Sequence, residues 1–214
     1  MRTPKTLIAM LLIAGTALAS TGCASARFSP KALAEYADKN DAEEYDDAEE
    51  WGEDVAICIN PYVQIGEDGA YICLKGDDIE EAMEDYFTYN MYYRDSIKEA
   101  VLYYAGDIDA NYIVMSLAFS SSGQALDAYD EYVVAALVTN SSGRYTDGEG
   151  EDKGVKWYTI SEETDAYYAS AEGVYLQGNT VLIVYGYGEE LDNVNDRLDD
   201  ICDEFDLKAP SELG

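Results

Sequence analysis

A tight hairpin in the last third of the chain constrains the fold more than any other feature. Residues 177–180, Gln-Gly-Asn-Thr, separate two apolar runs, and glycine and asparagine tolerate the positive φ that two-residue turns require. A turn of this length places Leu176 opposite Val181. It also places Val174 opposite Ile183, so both apolar pairs share one face. The sequence therefore predicts an antiparallel sheet with a strongly apolar face.

The spacing of apolar residues predicts the other elements and the fold class. Strands are predicted at 55–64, 70–74, 112–119, 155–160 and 167–176, and after the turn at 177–180. Helices are predicted at 30–39, 41–51, 94–104, 122–137 and 189–205, with a further helical face between 79 and 87. The acidic, glycine-rich stretch 141–154 is predicted to be a loop. Runs of strands with helices between them favour an α+β fold, a mostly antiparallel sheet with helices packed on one face.

The first 22 residues have the pattern of an export signal. Arg2 and Lys5 precede an apolar run at 7–19, which is too short to cross a bilayer as a helix. Residues 18–23, Leu-Ala-Ser-Thr-Gly-Cys, resemble the lipobox of bacterial lipoproteins, although Ser20 stands where that family usually has leucine. The resemblance implies that Cys23 receives a diacylglycerol and becomes the first residue of the mature chain. An ordinary signal peptide, with Cys23 incidental, is the alternative.

These features predict the organisation of the chain and its location. Residues 1–22 form a signal helix, 23–30 a short lipid-anchored tether, and 31–208 a single acidic α+β domain, with a division into 31–106 and 111–206 as the alternative. The strand–helix–loop–hairpin–helix pattern of the second half resembles small uncharacterised lipoproteins of Firmicutes, which implies no activity. We expect the body to sit on the extracytoplasmic face of a membrane without spanning it, held by two acyl chains.

The charge of the chain limits its partners. Positions 1–22 contain two bases and no acids, so 44 acidic and 11 basic residues follow, a net charge of −33. Nucleic acid is excluded because its binding depends on lysine and arginine contacts, and bare anionic lipid would repel the domain. Cations, basic proteins and neutral glycans are the favoured partners, with solubility alone as the alternative. With 48% hydrophobic residues, the domain is not a disordered acidic tail.

Catalytic chemistry is poorly represented. The chain has no histidine, which removes Ser-His and Cys-His triads and most catalytic zinc sites. No catalytic residue is therefore assigned. A hydrolase acting through two carboxylates stays open as a hypothesis, but among 44 acids none is diagnostic.

Calcium is the candidate metal, and no other cofactor is indicated. Asp147, Glu149, Glu151 and Asp152 space carboxylate oxygens closely along the predicted loop. They lack the glycine at position six and the glutamate at position twelve of an EF-hand loop. The sequence therefore predicts, at most, a calcium-binding loop that is not an EF-hand.

A tyrosine-rich stretch is the candidate interaction patch. It consists of Tyr86, Tyr89, Tyr92, Tyr93 and Tyr103. Such residues can stack on sugar rings or contact a protein, and the alternative is that they cover the core half-buried.

Three cysteines follow Cys23. Cys58 and Cys73 lie in neighbouring predicted strands, and a disulfide between them is compatible with an oxidising compartment. Cys202 lies on an apolar helical stripe and is predicted to be an unreactive core residue. Taken together, the sequence favours a non-enzymatic, lipid-anchored binding or interaction module, with a calcium or small-ligand binder second and a carboxylate hydrolase third.

Overall fold

The computed structural model describes residues 26–54, 69–79, 94–106, 109–139, 143–164 and 168–213. The helices are α1 (Pro30–Lys39), α2 (Ala48–Asp54), α3 (Ser122–Thr139) and α4 (Leu191–Glu204), with short 3-10 turns at Arg94–Ser96 and Pro210–Leu213. The strands are β1 (Glu43–Tyr45), β2 (Ala70–Lys75), β3 (Ile97–Gly106), β4 (Ala110–Phe119), β5 (Arg144–Asp152), β6 (Val155–Thr164), β7 (Tyr168–Gln177) and β8 (Thr180–Gly188). None of the helices in the described residues is long and apolar enough to span a membrane.

The strands form one sheet in the order β1-β2-β3-β4-β8-β7-β6-β5. Every neighbouring pair is antiparallel except β1 with β2. The α+β class with a mostly antiparallel sheet is therefore confirmed. Strands from both 31–106 and 111–206 belong to this sheet, and β3 pairs with β4 across that boundary.

The hairpin of β7 and β8 has the predicted register. Leu176 pairs with Val181 and Val174 with Ile183. Gly178 has a φ of +64°, the left-handed conformation that the first central residue of such a turn needs. A two-residue turn leaves one way to pair the strands, which is why local sequence was sufficient here.

The helices lie on both faces of the sheet, so the prediction that they share one face is wrong. Helices α1 and α4 cover one face, called here the closed face, where Leu33 and Leu198 are buried with alternate residues of β3, β4, β7 and β8. Helices α2 and α3 cover the other, called here the α3 face, where Trp51 and Tyr132 are buried. The central strands carry apolar residues on both sides, so each face needs a cover.

Two predicted helices are strands in part or in full. Residues 94–104 form a short 3-10 turn and most of β3 instead of a helix, and 41–51 contains β1 before α2 begins at Ala48. β3 pairs with β2 on one side and β4 on the other and is buried along most of its length. In such a strand nearly every position is apolar, and helical spacing then occurs by coincidence. The predicted strand at 55–64 lies outside the described residues.

The predicted tether is wrong from Ala26 onward. Phe28 is 0% exposed on the closed face, and its carbonyl accepts a 2.6 Å hydrogen bond from Ser116 Oγ of β4. Ser29 then caps α1 by accepting a hydrogen bond from the Ala32 amide. The packed domain therefore includes residues 26–29. Cys23 and the predicted signal helix lie outside the described residues.

Candidate functional site

A cleft of about 450 Å³ lies between α3 and the hairpin of β5 and β6. Its volume is within the range of small-ligand sites. Helix α3 forms one wall and the hairpin forms the floor, with Glu149, Glu151 and Lys156 pointing to the α3 face. The lining residues are Tyr129, Asp130 and Val133 from α3, and Glu149, Gly150, Glu151, Lys156 and Trp157 from the hairpin.

The segment predicted to be a calcium loop forms the outer strand of this hairpin. It is wrong as a loop, because Arg144–Asp152 is the edge strand β5. Alternate residues of a strand point to the same side, so Asp147, Glu149 and Glu151 form a row of carboxylates, called here the acid row. Their cross-strand partners on β6 include Tyr158, which packs in the core of the α3 face.

The acid row does not form a metal centre in this structure. Neighbouring members are about 7 Å apart along the strand, whereas calcium ligands converge within about 2.5 Å of one ion. Asp152, the next residue, belongs to the opposite side of the strand. Among the described residues there is no group of three or more His, Cys, Asp or Glu side chains able to hold a metal ion.

The two glycines between the acids allow close packing on the other side of β5. A Cβ on Gly150 would lie 2.6 Å from the Trp157 ring, and one on Gly148 would lie 2.8 Å from Leu213. Trp157 and Leu213 therefore rest against the strand backbone. The alternation of acid and glycine resembles a loop in the sequence. In the structure the acids point to the α3 face of the strand, and the glycines leave room for Trp157 and Leu213 on the opposite face.

A cation–π contact links the β5–β6 hairpin to α3 across the cleft. Lys156 Nζ lies 5.0 Å from the centre of the Tyr129 ring, a distance at which a cation is attracted to the ring face. Burial, followed by the charges of Glu149 and Asp130, raises the pKa of Tyr129, so this hydroxyl stays protonated at neutral pH. Tyr158 donates a 3.2 Å hydrogen bond to Asp147 and thereby orients this carboxylate, the member of the acid row furthest from the β5–β6 turn.

Next to the cleft, α3 exposes large apolar side chains. Helix α3 packs on the sheet mainly through Ala125, Ala128 and Ala136 with two tyrosines. Four other side chains, called here the apolar stripe, are between 37% and 73% exposed. They are Leu126, Val134, Leu137 and Val138. Val134, Leu137 and Val138 are neighbours on the helix, and Asp130 lies between them and Leu126. Exposed apolar side chains bordered by charge are typical of an interaction site.

A buried polar row crosses the α3 face further along the sheet, and sequence reasoning missed it. Glu162, Ser170, Tyr187 and Asn111 are successive cross-strand partners on β6, β7, β8 and β4. Glu172 lies beside this row, opposite Tyr185. Glu162 is 2% exposed and accepts a hydrogen bond from the Gly143 amide, and Glu172 is 1% exposed. The row could have been noticed in the sequence, because polar residues such as Ser170 and Glu172 stand at alternate positions of a strand and therefore point to the same face of the sheet.

The remaining predicted site residues fall in different places. Tyr103 is 1% exposed on the closed face, in edge-to-face contact with Tyr36 and Tyr112, so its place in a surface patch is wrong. The other tyrosines of the predicted patch, at 86, 89, 92 and 93, lie outside the described residues.

The cysteines that follow Cys23 also lie in different places. Cys73 is exposed on β2, while Cys58 lies outside the described residues, so their disulfide stays a prediction. Cys202 is buried on α4, as predicted. Burial raises the pKa of the Cys202 thiol to about 12. The hydrogen bond with the Tyr175 hydroxyl opposes this effect, and the charges of nearby carboxylates add to it. It is therefore an unreactive core residue.

Comparisons with known proteins add little to this description. No protein-family model matches the chain. No curated protein matches it. Among solved structures, the extracellular domain of PknH from Mycobacterium tuberculosis is similar over 57% of this chain and 68% of that chain, at 10% identity and a TM-score of 0.38. A likeness at this level carries no argument about function.

Proposed function

We propose that this chain is a non-enzymatic binding module on the extracytoplasmic face of a membrane, anchored through a diacylglycerol on Cys23. Its ligand is a basic, partly apolar segment of a protein partner, which binds along the cleft between α3 and the β5–β6 hairpin. The observation that carries this proposal is the position of the apolar stripe beside the acid row.

The address is supported by the order of features in the first 23 residues. A charged start, a short apolar run and small residues before Cys23 together match a lipoprotein export signal. Ala26 is the first residue that the structure describes, so a cleavage before Cys23 leaves every described residue in the mature chain.

The chemistry of the cleft supports a basic and apolar ligand. Lysine and arginine side chains of a partner find carboxylates in Glu149, Glu151 and Asp130, and its apolar side chains find the stripe on α3. A sugar fits less well, because Tyr129 is only 5% exposed and Lys156 occupies its ring face. The acids of the cleft lie beside Val133 and Tyr129 of α3, and this mixed lining favours a peptide over a single ion.

A carboxylate hydrolase is less well supported. One pair of acids, Glu162 and Glu172, consists of diagonal neighbours on β6 and β7, and both side chains are almost completely covered. Hydrolysis through such a pair needs both water and substrate between the carboxyl groups.

The anchor is tested by expressing the full chain in a bacterial host that acylates lipoproteins. We expect the mass of the mature protein to be that of a chain beginning at Cys23 with a diacylglycerol added. We also expect the protein to float with vesicles. The Cys23→Ala variant should do neither. A wild-type protein that is cleaved elsewhere and stays in the aqueous fraction would contradict the anchored part of the proposal.

The binding site is tested with a designed peptide of lysines and leucines in helical spacing, titrated by calorimetry. We expect the Glu149→Gln/Glu151→Gln variant to bind it about 2- to 30-fold more weakly, since two solvent-accessible charge pairs are worth ~0.2–1 kcal/mol each. The matched control is Glu189→Gln/Glu190→Gln, which removes the same charge at the start of α4, outside the cleft.

Two results separate specific from general attraction. Loss of affinity in the cleft variant alone supports the site. Equal losses in both variants would show that the peptide responds to net charge, and the cleft would have no special role.

A further inference from the structure

The chain between the proposed lipid and the folded domain is short. From Cys23 to Ala26 there are three residue steps, which span at most about 11 Å when fully extended. Beyond Ala26 the chain is held in place. The Arg27 amide donates a 2.8 Å hydrogen bond to Gln177 Oε1, and Phe28 is buried against β4.

The point where the chain joins the domain lies at one end of the sheet. Gln177 is the last residue of β7, before the turn to β8. The Arg27 guanidinium also donates to the carbonyl of Lys153, in the turn between β5 and β6. Because neighbouring strands from β2 to β5 are antiparallel, the start of β3 and the end of β2 lie at this same end, called here the anchor end.

Basic residues are concentrated at the anchor end. They are Arg27, Lys75, Lys98, Lys153 and Lys156. Acids accompany them, and several form ion pairs: Asp206 contacts both Arg27 and Lys153, at 2.9 and 2.7 Å. Lys75 pairs with Glu99 at 2.8 Å. The acids at this end are Asp77, Asp78, Asp95, Glu99, Glu151, Asp152 and Asp206. Five bases therefore stand beside seven acids, whereas acids outnumber bases 44 to 11 after residue 22.

The opposite end of the sheet is strongly acidic. Within the described ranges, the basic residues near that end include Arg144 at the start of β5 and Arg197 of α4, which lines a small pocket with Asp109. The acids at that end are Glu43, Glu44, Asp109, Glu163, Glu189 and Glu190. Strands of ten residues at about 3.3 Å per residue separate the two ends by ~30 Å.

We infer that the anchor end is a membrane-facing surface that rests on lipid headgroups, with the acidic end directed away from the bilayer. The inference depends on the lipidation of Cys23 proposed above. A tether of this length keeps the anchor end near the headgroups, where an anionic leaflet acts only over a Debye length of ~8 Å. The opposite end lies well beyond that range, so the high net charge of the domain does not prevent this orientation.

The experiment uses the full lipidated protein on phosphatidylcholine vesicles that carry a nitroxide on the lipid headgroup. A fluorophore is placed on Asp152→Cys at the anchor end or on Glu190→Cys at the acidic end, both exposed positions, in a Cys58→Ser/Cys73→Ser background. Cys202 is buried and is left in place. We expect loss of fluorescence at position 152 and none at position 190.

The outcomes distinguish orientation from anchoring. If the protein floats but position 190 is quenched as strongly as position 152, the orientation is overturned and the anchor stands. If the protein neither floats nor carries the acyl mass, the proposed function fails, and the inference fails with it because no lipid fixes the anchor end.

A second arm tests the part played by charge, on vesicles that also contain phosphatidylglycerol. Lys98→Glu at the anchor end should lower the quenching at position 152, because it adds repulsion close to the headgroups. Arg144→Glu makes the same change of charge at the opposite end and should leave the quenching unchanged. Equal effects of the two variants, or none from Lys98→Glu, would overturn the electrostatic part of the inference.

Discussion

On the closed face, the helices contribute large apolar side chains that are fully buried, including Leu33, Leu198 and Ile201. On the α3 face, helix α3 contributes mainly alanines and two tyrosines to the core and exposes Leu126, Val134, Leu137 and Val138. The closed face is covered further by Phe28 and by the C-terminal 3-10 turn. The α3 face instead contains the buried polar row and, at its edge, the cleft.

This difference indicates a division of roles. A face closed by large side chains supplies stability, since burial of apolar area is the main favourable contribution to folding. A helix that packs through alanines lies close to the sheet and leaves its larger side chains available to a partner. The helices of the closed face are therefore expected to contribute more to stability than α3, and the proposed binding belongs to the α3 face.

The largest effect is expected at Phe28. Phe28→Ala should lower the free energy of unfolding by about 3–5 kcal/mol, because it leaves a cavity between the N-terminal segment and β4. Tyr145→Ala, an exposed aromatic on β5, is the control and should change it by about 0.5 kcal/mol or less. Urea unfolding of the chain from residue 24 measures both. Similar, small effects would mean that residues 26–29 are a tether after all.

The two helices should respond differently to the same substitution. Leu198→Ala on α4 should cost about 2–5 kcal/mol, since Leu198 is fully buried. Leu137→Ala on α3 should cost less than about 1 kcal/mol, because Leu137 is 37% exposed. Chemical denaturation of the two variants measures the contrast. Equal costs would show that the apolar stripe is covered and cannot be a docking surface.

A smaller effect is expected at Gly150. Gly150→Ala places a Cβ against the Trp157 ring and should destabilise the fold by about 1–3 kcal/mol through overpacking. Gly123→Ala, in the first turn of α3, meets no atom closer than 3.9 Å and should be neutral or stabilising by about 0.4–1 kcal/mol. Melting curves and Trp157 fluorescence report both. An unaffected Gly150→Ala variant would mean that Trp157 does not rest on β5.

The smallest effect is expected at Asp206, where exposed ion pairs join the N-terminal segment to the turn between β5 and β6. The hydrogen bond from Lys153 lowers the pKa of Asp206; desolvation opposes this effect, and the charges of Lys153 and Arg27 add to the lowering. The stabilisation is present above the ordinary pKa of aspartate and is lost as the pH falls through the lowered value. Asp206→Asn should therefore melt slightly below wild type at pH 7 and together with it in strong acid. A difference that persists in acid would contradict an ionic origin.

Elements defined by local sequence were predictable. The register of β7 and β8 follows from a two-residue turn, and α4 follows from apolar residues at helical spacing, with Val194, Leu198, Ile201 and Cys202 buried as expected. Helix α3 begins at Ser122, and Ser121 caps it by accepting a hydrogen bond from the Gln124 amide.

Elements defined by distant partners were not predictable. Ile97, Ala100, Val101 and Tyr104 have helical spacing, yet they lie in β3 because two neighbouring strands hydrogen-bond to that segment. In the same way, the acids and glycines of β5 resemble a loop until Trp157 and Leu213 are placed against them. The cleft joins residues from α3 and a separate hairpin, and no single stretch of sequence contains its pattern.

The most direct test of the division between the two faces is an NMR titration. The lysine–leucine peptide is added to the isotope-labelled chain from residue 24, and backbone amide shifts are mapped onto the structure. The account predicts that shifts concentrate in α3, β5 and the start of β6, while α1 and α4 stay unchanged. Shifts spread evenly over the acidic surface, or centred on α1 and α4, would contradict it.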